Sequence, residues 1–292
     1  MGSWTAPLQY AFFQHGLFVA TLAGALLGFI GVYITLRGMS YIGHGLSHSI
    51  FGGYAASQLI SAQFYMWGAG VWGVMSALSI LLVTRRHRIG ADAAIGVITT
   101  ASFALGVALL SHFGATGPSF ENALFGSILG ITFGQMLALS LVAGLTLVVV
   151  FLRYRALLFA TFDPDVAEVS GVKVVVIDAL LMVTLSLGIL ATLNIVGVTL
   201  VAAMLVIPPV TARMLCRSFH HVLLLATALG ALCGLVGMYV SYQAEVPSGT
   251  MIVLVGAVGF VAALALTARR RRVWVADVDV PGARLAPAGA GD

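Results

Sequence analysis

The grouping of cationic charge constrains this sequence more than any other feature. Its Lys and Arg residues are Arg37; Arg85, Arg86 and Arg88; Arg153, Arg155 and Lys173; Arg213 and Arg217; Arg269 to Arg272; and Arg284. Between these groups lie apolar stretches long enough to cross a bilayer twice. The turn-like segments 61–67, 111–121 and 241–250 contain no Lys or Arg, although Glu121 and Glu245 fall within them. All positive charge therefore folds onto one side of a membrane, as cytoplasmic loops require. That predicts an outside N-terminus, a cytoplasmic C-terminus and an odd number of spans. Hydrophobic residues make up 60% of the chain and charged residues 8%, against roughly 45–50% and about 25% in soluble proteins. A soluble enzyme, a nucleic-acid binder and a disordered scaffold are excluded.

The predicted fold class is an all-α polytopic transmembrane bundle of about eight or nine spans with broken helices. At roughly 20 apolar residues per span, the spans fall near 16–36, 41–60, 67–84, 93–111, 130–152, 174–194, 196–212, 219–240 and 250–268. Abundant Gly, 34 residues, suits close helix contacts in lipid. Residues 1–272 form one transmembrane domain, and residues 273–292, rich in Ala, Gly, Pro and Asp, read as a disordered cytoplasmic tail. No basic residue precedes the first apolar run, so a removable signal peptide is not expected. Cys216 and Cys233 lie in or beside apolar runs without CxxC spacing and read as small hydrophobes.

Three places depart from uniform apolar helix. The second span carries His44, Ser47, His48, Ser49 and then Gly52-Gly53. The external segment 114–130 mixes Gly117-Pro118 with a short apolar piece, as a re-entrant half-helix would. The seventh span contains Pro208-Pro209, which removes backbone donors and is expected to break or bend the helix. Broken helices in lipid are tolerated where they line a cavity or pack on protein, a pattern suited to a transporter.

The loop FLRYRALLFATFDPDVAEVSGVKV, residues 151–174, has the signals of a short acidic helix. Thr161 or Asp163 can cap it, Pro164 suits its first position, and Asp165 and Glu168 favour its positive end. Gly171 is a natural stop. It is either a surface helix that tidies a loop or a lever that docks into a partner. No GxxxxGK[ST] phosphate loop occurs in the chain, so ATP-driven transport would need a separate subunit to hydrolyse ATP.

His44 and His48 are four residues apart and project from one face of a helix. Two imidazoles at that spacing can share one metal ion, and imidazole suits zinc and its neighbours. The alternative is that each hydrogen-bonds a neighbouring helix. A pair on one face of an otherwise small-residue span favours the ion. Gly45 stands where a zinc protease of the HExxH type would carry its Glu, which disfavours hydrolysis. His15 and His112 sit near the outer face, and His87, His220 and His221 lie with the cytoplasmic arginines. Asp178, near the inner end of the sixth span, reads as snorkelling or pairing with an Arg rather than lining a path. Asn194 reads as a helix-end hydrogen-bonder.

RGMSYIGHGLSHSIFGG, LFGSILG, ATFDPDVAEVSGV and NIVGVTLVAAMLVIPPVTARML together resemble the signature segments of the membrane permeases of ABC-type zinc and manganese importers. The resemblance covers roughly residues 10–268. It implies a permease working as a homodimer, with ATP-binding cassette subunits on the cytoplasmic side and a metal-loaded solute-binding protein outside. It also implies that Phe162 to Gly171 is the coupling helix, with Phe162, Asp163, Pro164, Asp165, Glu168 and Gly171 meeting the ATPase. The segment around His48 matches the stretch carrying the family's in-membrane metal ligands. The family commonly has Asp where this chain has His44, and Pro208-Pro209 replaces a more usual Pro followed by a small residue.

A carboxylate offsets a divalent charge in a low-dielectric path and a neutral imidazole does not. Nitrogen in place of oxygen shifts preference from manganese toward zinc, and binding weakens as pH falls toward about 6, since imidazole ligates only when neutral. The expected function is ATP-driven import of a divalent transition metal across a bacterial cell membrane, with zinc foremost and manganese or iron as alternatives. The chain is expected to be no enzyme and to hold no permanent cofactor, the metal being cargo. Its rivals are an ABC permease for a metal chelate or vitamin, and a stand-alone carrier driven by protons or potential.

Overall fold

The computed structural model describes residues 6–58, 65–87, 89–113 and 130–276. Among these residues there are eleven α-helices, a short 3-10 turn at Ala6–Gln9 and no strand. In chain order the helices are α1 (Ala11–Leu36), α2 (Ile42–Gln58), α3 (Tyr65–His87), α4 (Ala91–Phe113), α5 (Phe133–Leu152), α6 (Tyr154–Phe162), α7 (Pro164–Val169), α8 (Val174–Val196), α9 (Val198–Leu215), α10 (Phe219–Ala244) and α11 (Ser248–Ala276). The segment 114–129, with Glu121 and all of the LFGSILG motif but Gly130, and the tail from 277 onward lie outside the described residues. The last helix itself runs past the start of the expected tail, to Ala276.

Eight helices are long and apolar enough to cross a membrane. The ninth rod, α2, has 17 residues, about 25 Å at 1.5 Å per residue, and is too short and polar to qualify alone. Geometry nevertheless makes it a crossing. Arg37 at the end of α1 and Arg85 near the end of α3 both bond Asp178, in the first turns of α8. α1 and α3 therefore finish at the same face, and the chain must return through α2 between them. Lodged against α3, α4 and α9, α2 keeps Ser47 and Ser49 buried in protein, where short and polar helices are tolerated.

α1 is the axis of one group of helices, packing on α10 and α9, while α11 packs on both of those. α2, α3 and α4 form the second group, and α8 bridges to it through α3. Close approach depends on small residues: a Cβ at Gly28 of α1 would stand 2.6 Å from the Ala226 carbonyl oxygen of α10. No side chain fits there, which is the small-residue packing that helices in lipid use.

Pro208 and Pro209 do not end α9, which continues through them to Leu215. The N–H groups that these prolines lack would have bonded the Met204 and Leu205 carbonyls. α1 covers that gap: Gly31 packs its backbone on the Leu205 carbonyl oxygen, and a Cβ there would stand 2.8 Å from Pro209 Cγ. The chain breaks instead at Gly197, whose φ of +84° alone separates α8 from α9.

Candidate metal path and coupling surface

α2 presents two chemically different faces. Its serines point inward: Ser47 donates to the Gly43 carbonyl at 2.7 Å, and Ser49 bonds Ser76 of α3 at 2.5 Å and Ser102 of α4 at 2.7 Å. Trp72 of α3 donates its indole N–H to the same Ser102 at 2.5 Å. The two Ser49 bonds fix the rotation of α2 about its own axis. That rotation turns His44 and His48 together onto the face that this chain leaves half-open.

The two imidazole rings stand with centroids 4.6 Å apart and planes at 78°. Tyr41 lies 5.4 Å from His44, and Phe103 of α4 lies 5.3 Å from His48, ring to ring. The pair thus has an aromatic neighbour at each end. Among the described residues no third His, Cys, Asp or Glu joins it. One chain offers an ion two nitrogen ligands, whereas zinc commonly takes four.

The other candidate residues are placed elsewhere. His15, His112, His220 and His221 are exposed. The side chains of His87 and Asn194 are outside the described set. Asp178 is an ion-pair residue, with one carboxylate oxygen on Arg37 Nη1 and the other 2.6 Å from Arg85 Nη2.

The loop after α5 holds two helices rather than one. α6 was not anticipated, although Leu157 and Ala160, three residues apart in ALLFA, bury its inner stripe. α7 is capped as its residues dictate. Asp163 Oδ1 accepts the Val166 N–H at 3.0 Å, and Pro164 occupies the first position. Thr161 serves otherwise, donating to the Leu157 carbonyl and accepting from Arg37 Nε. At the far end Gly171, with φ +83°, closes a Schellman motif. Its N–H bonds the Glu168 carbonyl at 3.0 Å, and that of Val172 bonds the Ala167 carbonyl at 2.9 Å. Ala167 is buried beneath, while Val166 is 49% and Val169 91% exposed. A rigid six-residue helix with apolar side chains facing outward has the build of a knob for a partner's groove.

A bundle of nine crossings, an open pair of imidazoles inside it and a capped knob at its charged face together define a polytopic transport permease. Residues 9–267 match the ABC 3 transport family, to which the chain belongs, as a membrane permease of the divalent-metal importers. Among relatives, the manganese transport system membrane protein MntC of Halalkalibacterium halodurans is 38% identical over 253 residues, covering 87% of this chain and 86% of that one. The chelated iron transport system membrane protein YfeD of Yersinia pestis is 32% identical over 258 residues, covering 88% and 86%. A solved structure, PsaBC from Streptococcus pneumoniae in complex with Fab, has 29% identity and a TM-score of 0.82, covering 94% of this chain and 98% of that chain.

Proposed function

We propose that this permease imports a divalent first-row transition ion, zinc foremost, past His44 and His48. The observation that carries this reading is the imidazole pair, a two-nitrogen half-site on a face that the described residues leave half-open. A second copy related by a two-fold axis would bring a second pair, completing four ligands by symmetry. The pair stays neutral when it ligates, so the ion's charge is only partly offset, and a site that must release its cargo tolerates that weakness. Positive residues at the face holding α6 and α7 support a cytoplasmic position for that face and an outside N-terminus. There α7 would seat in a separate ATP-hydrolysing subunit, with a binding protein delivering the ion outside.

The names of the relatives favour a second reading, manganese or iron. Ligand chemistry discriminates: imidazole nitrogen suits zinc, and carboxylate oxygen suits manganese. Exchange of His44→Asp, assayed as zinc and manganese uptake by the assembled transporter in liposomes, tests the choice. Zinc-over-manganese preference should fall at least about tenfold. An unchanged ratio would remove His44 from cargo selection.

A further inference from the structure

The elbow formed by α6 and α7 is held at two points. At its first arm, Thr161 accepts from Arg37 Nε at 3.2 Å. At its second, Glu168 Oε1 lies 4.0 Å from Arg85 Nη1. Each arginine then turns to a different oxygen of one carboxylate, Arg37 to Oδ1 and Arg85 to Oδ2 of Asp178. The side chains of Arg37 and Asp178 are 9% and 12% exposed, that of Arg85 33% and that of Glu168 60%. The chain of contacts therefore runs from the protein's surface to its interior. It borders a cleft of about 470 Å³ that Pro164, Asp165, Met39 and Met182 also line.

We infer that Asp178 is a positioning residue that transmits displacement of the α7 knob to the histidine helix. The inference rests on the transport reading above, and extends it from the ion's ligands to the means of moving them. Arg37 is the residue immediately after α1, and Ile42 begins α2 only a short turn later. A pull on Arg37 is thus delivered close to the first turn of the helix that carries His44. Arg85 delivers the same pull to α3, which is bonded to α2 through Ser76 and Ser49. A carboxylate suits this task because it holds two guanidinium groups at once with directional, charge-assisted bonds. Buried ion pairs contribute little net stability but fix one arrangement against others. Arg37 Nη2 is buried with no partner among the described residues, so this guanidinium carries a spare donor for a second arrangement.

The test is the number of ATP molecules hydrolysed per metal ion imported, measured on the complete transporter in liposomes with the binding protein present. Zinc and manganese would be supplied together, so that either cargo is counted. Asp178→Asn, which keeps the shape and removes the charge, should raise that ratio at least about fivefold while the complex still assembles and hydrolyses ATP. Asp178→Glu should restore part of the coupling. If Asp178→Asn fails to assemble, Arg85→Gln leaves the Arg37–Asp178 pair in place and should raise the ratio by about threefold. A wild-type ratio in every variant that assembles would overturn the inference. Absence of ATP-dependent metal uptake by the wild type would instead overturn the transport reading on which it rests.

Discussion

His44 and His48 face one another edge to face, 4.6 Å between ring centroids, on α2. Ser49 anchors another side of that helix to Ser76 and Ser102. The histidines are thereby aimed by bonds they do not themselves make.

Loss of one imidazole should be felt in transport and not in folding. His48→Ala should lower uptake by more than the roughly 10–100-fold cost of removing a metal site's outer-shell partner. Because the ring is half-buried on an open face, thermal unfolding in detergent should change little. Wild-type uptake in this variant would remove His48 from the path.

Protons should compete with the ion. Imidazole titrates near pH 6.5 in model compounds and ligates only when neutral. Uptake at fixed metal concentration should therefore fall as the outside pH drops from 7.5 to below about 6. The His44→Asp variant should fall less steeply, having one imidazole fewer to protonate. Identical pH profiles for the two proteins would speak against imidazole ligation.

The packing of α1 on α10 should be intolerant of a single methyl group. Gly28→Ala puts a Cβ within 2.6 Å of the Ala226 carbonyl oxygen, and overpacking of this kind costs about 1–3 kcal/mol. Gly96→Ala in α4 meets nothing within 4 Å and should be neutral or stabilising by up to about 1 kcal/mol from helix propensity. Thermal unfolding of the two variants side by side checks the contrast.

Charge on the knob should weaken capture of the ATP-hydrolysing subunit. Val166→Asp with Val169→Asp alters two exposed side chains of α7 and leaves the buried Ala167 untouched. Co-purification of that subunit should fall at least about tenfold, with the permease itself still folded. Full co-purification would mean that the partner docks elsewhere.

Much of this was legible in the residues because membrane physics acts locally. Apolar runs between arginine groups give the crossings, and Asp163, Pro164 and Gly171 give the limits of α7, each through a backbone requirement that few residue types meet. What could not be read was tertiary. Asp178 reads in sequence as snorkelling or pairing with an Arg, and only the fold shows that Arg37 and Arg85 are its partners, from 141 and 93 residues away along the chain. Pro208-Pro209 reads in sequence as a break or a bend. The helix survives because Gly31 of α1 occupies the ground those prolines expose, a compensation invisible in α9 alone. The choice of metal lies further off still, since one chain carries only half of the ligand set proposed for the ion.

The most direct test is elemental analysis of metal-starved cells that depend on this permease, after a pulse of zinc, manganese and iron together. Wild type would be compared with the His44→Ala/His48→Ala double variant, both checked for equal amounts in the membrane. Zinc rising in the wild type and not in the double variant is the result expected. Equal filling of both strains would contradict it and leave the histidines a structural role.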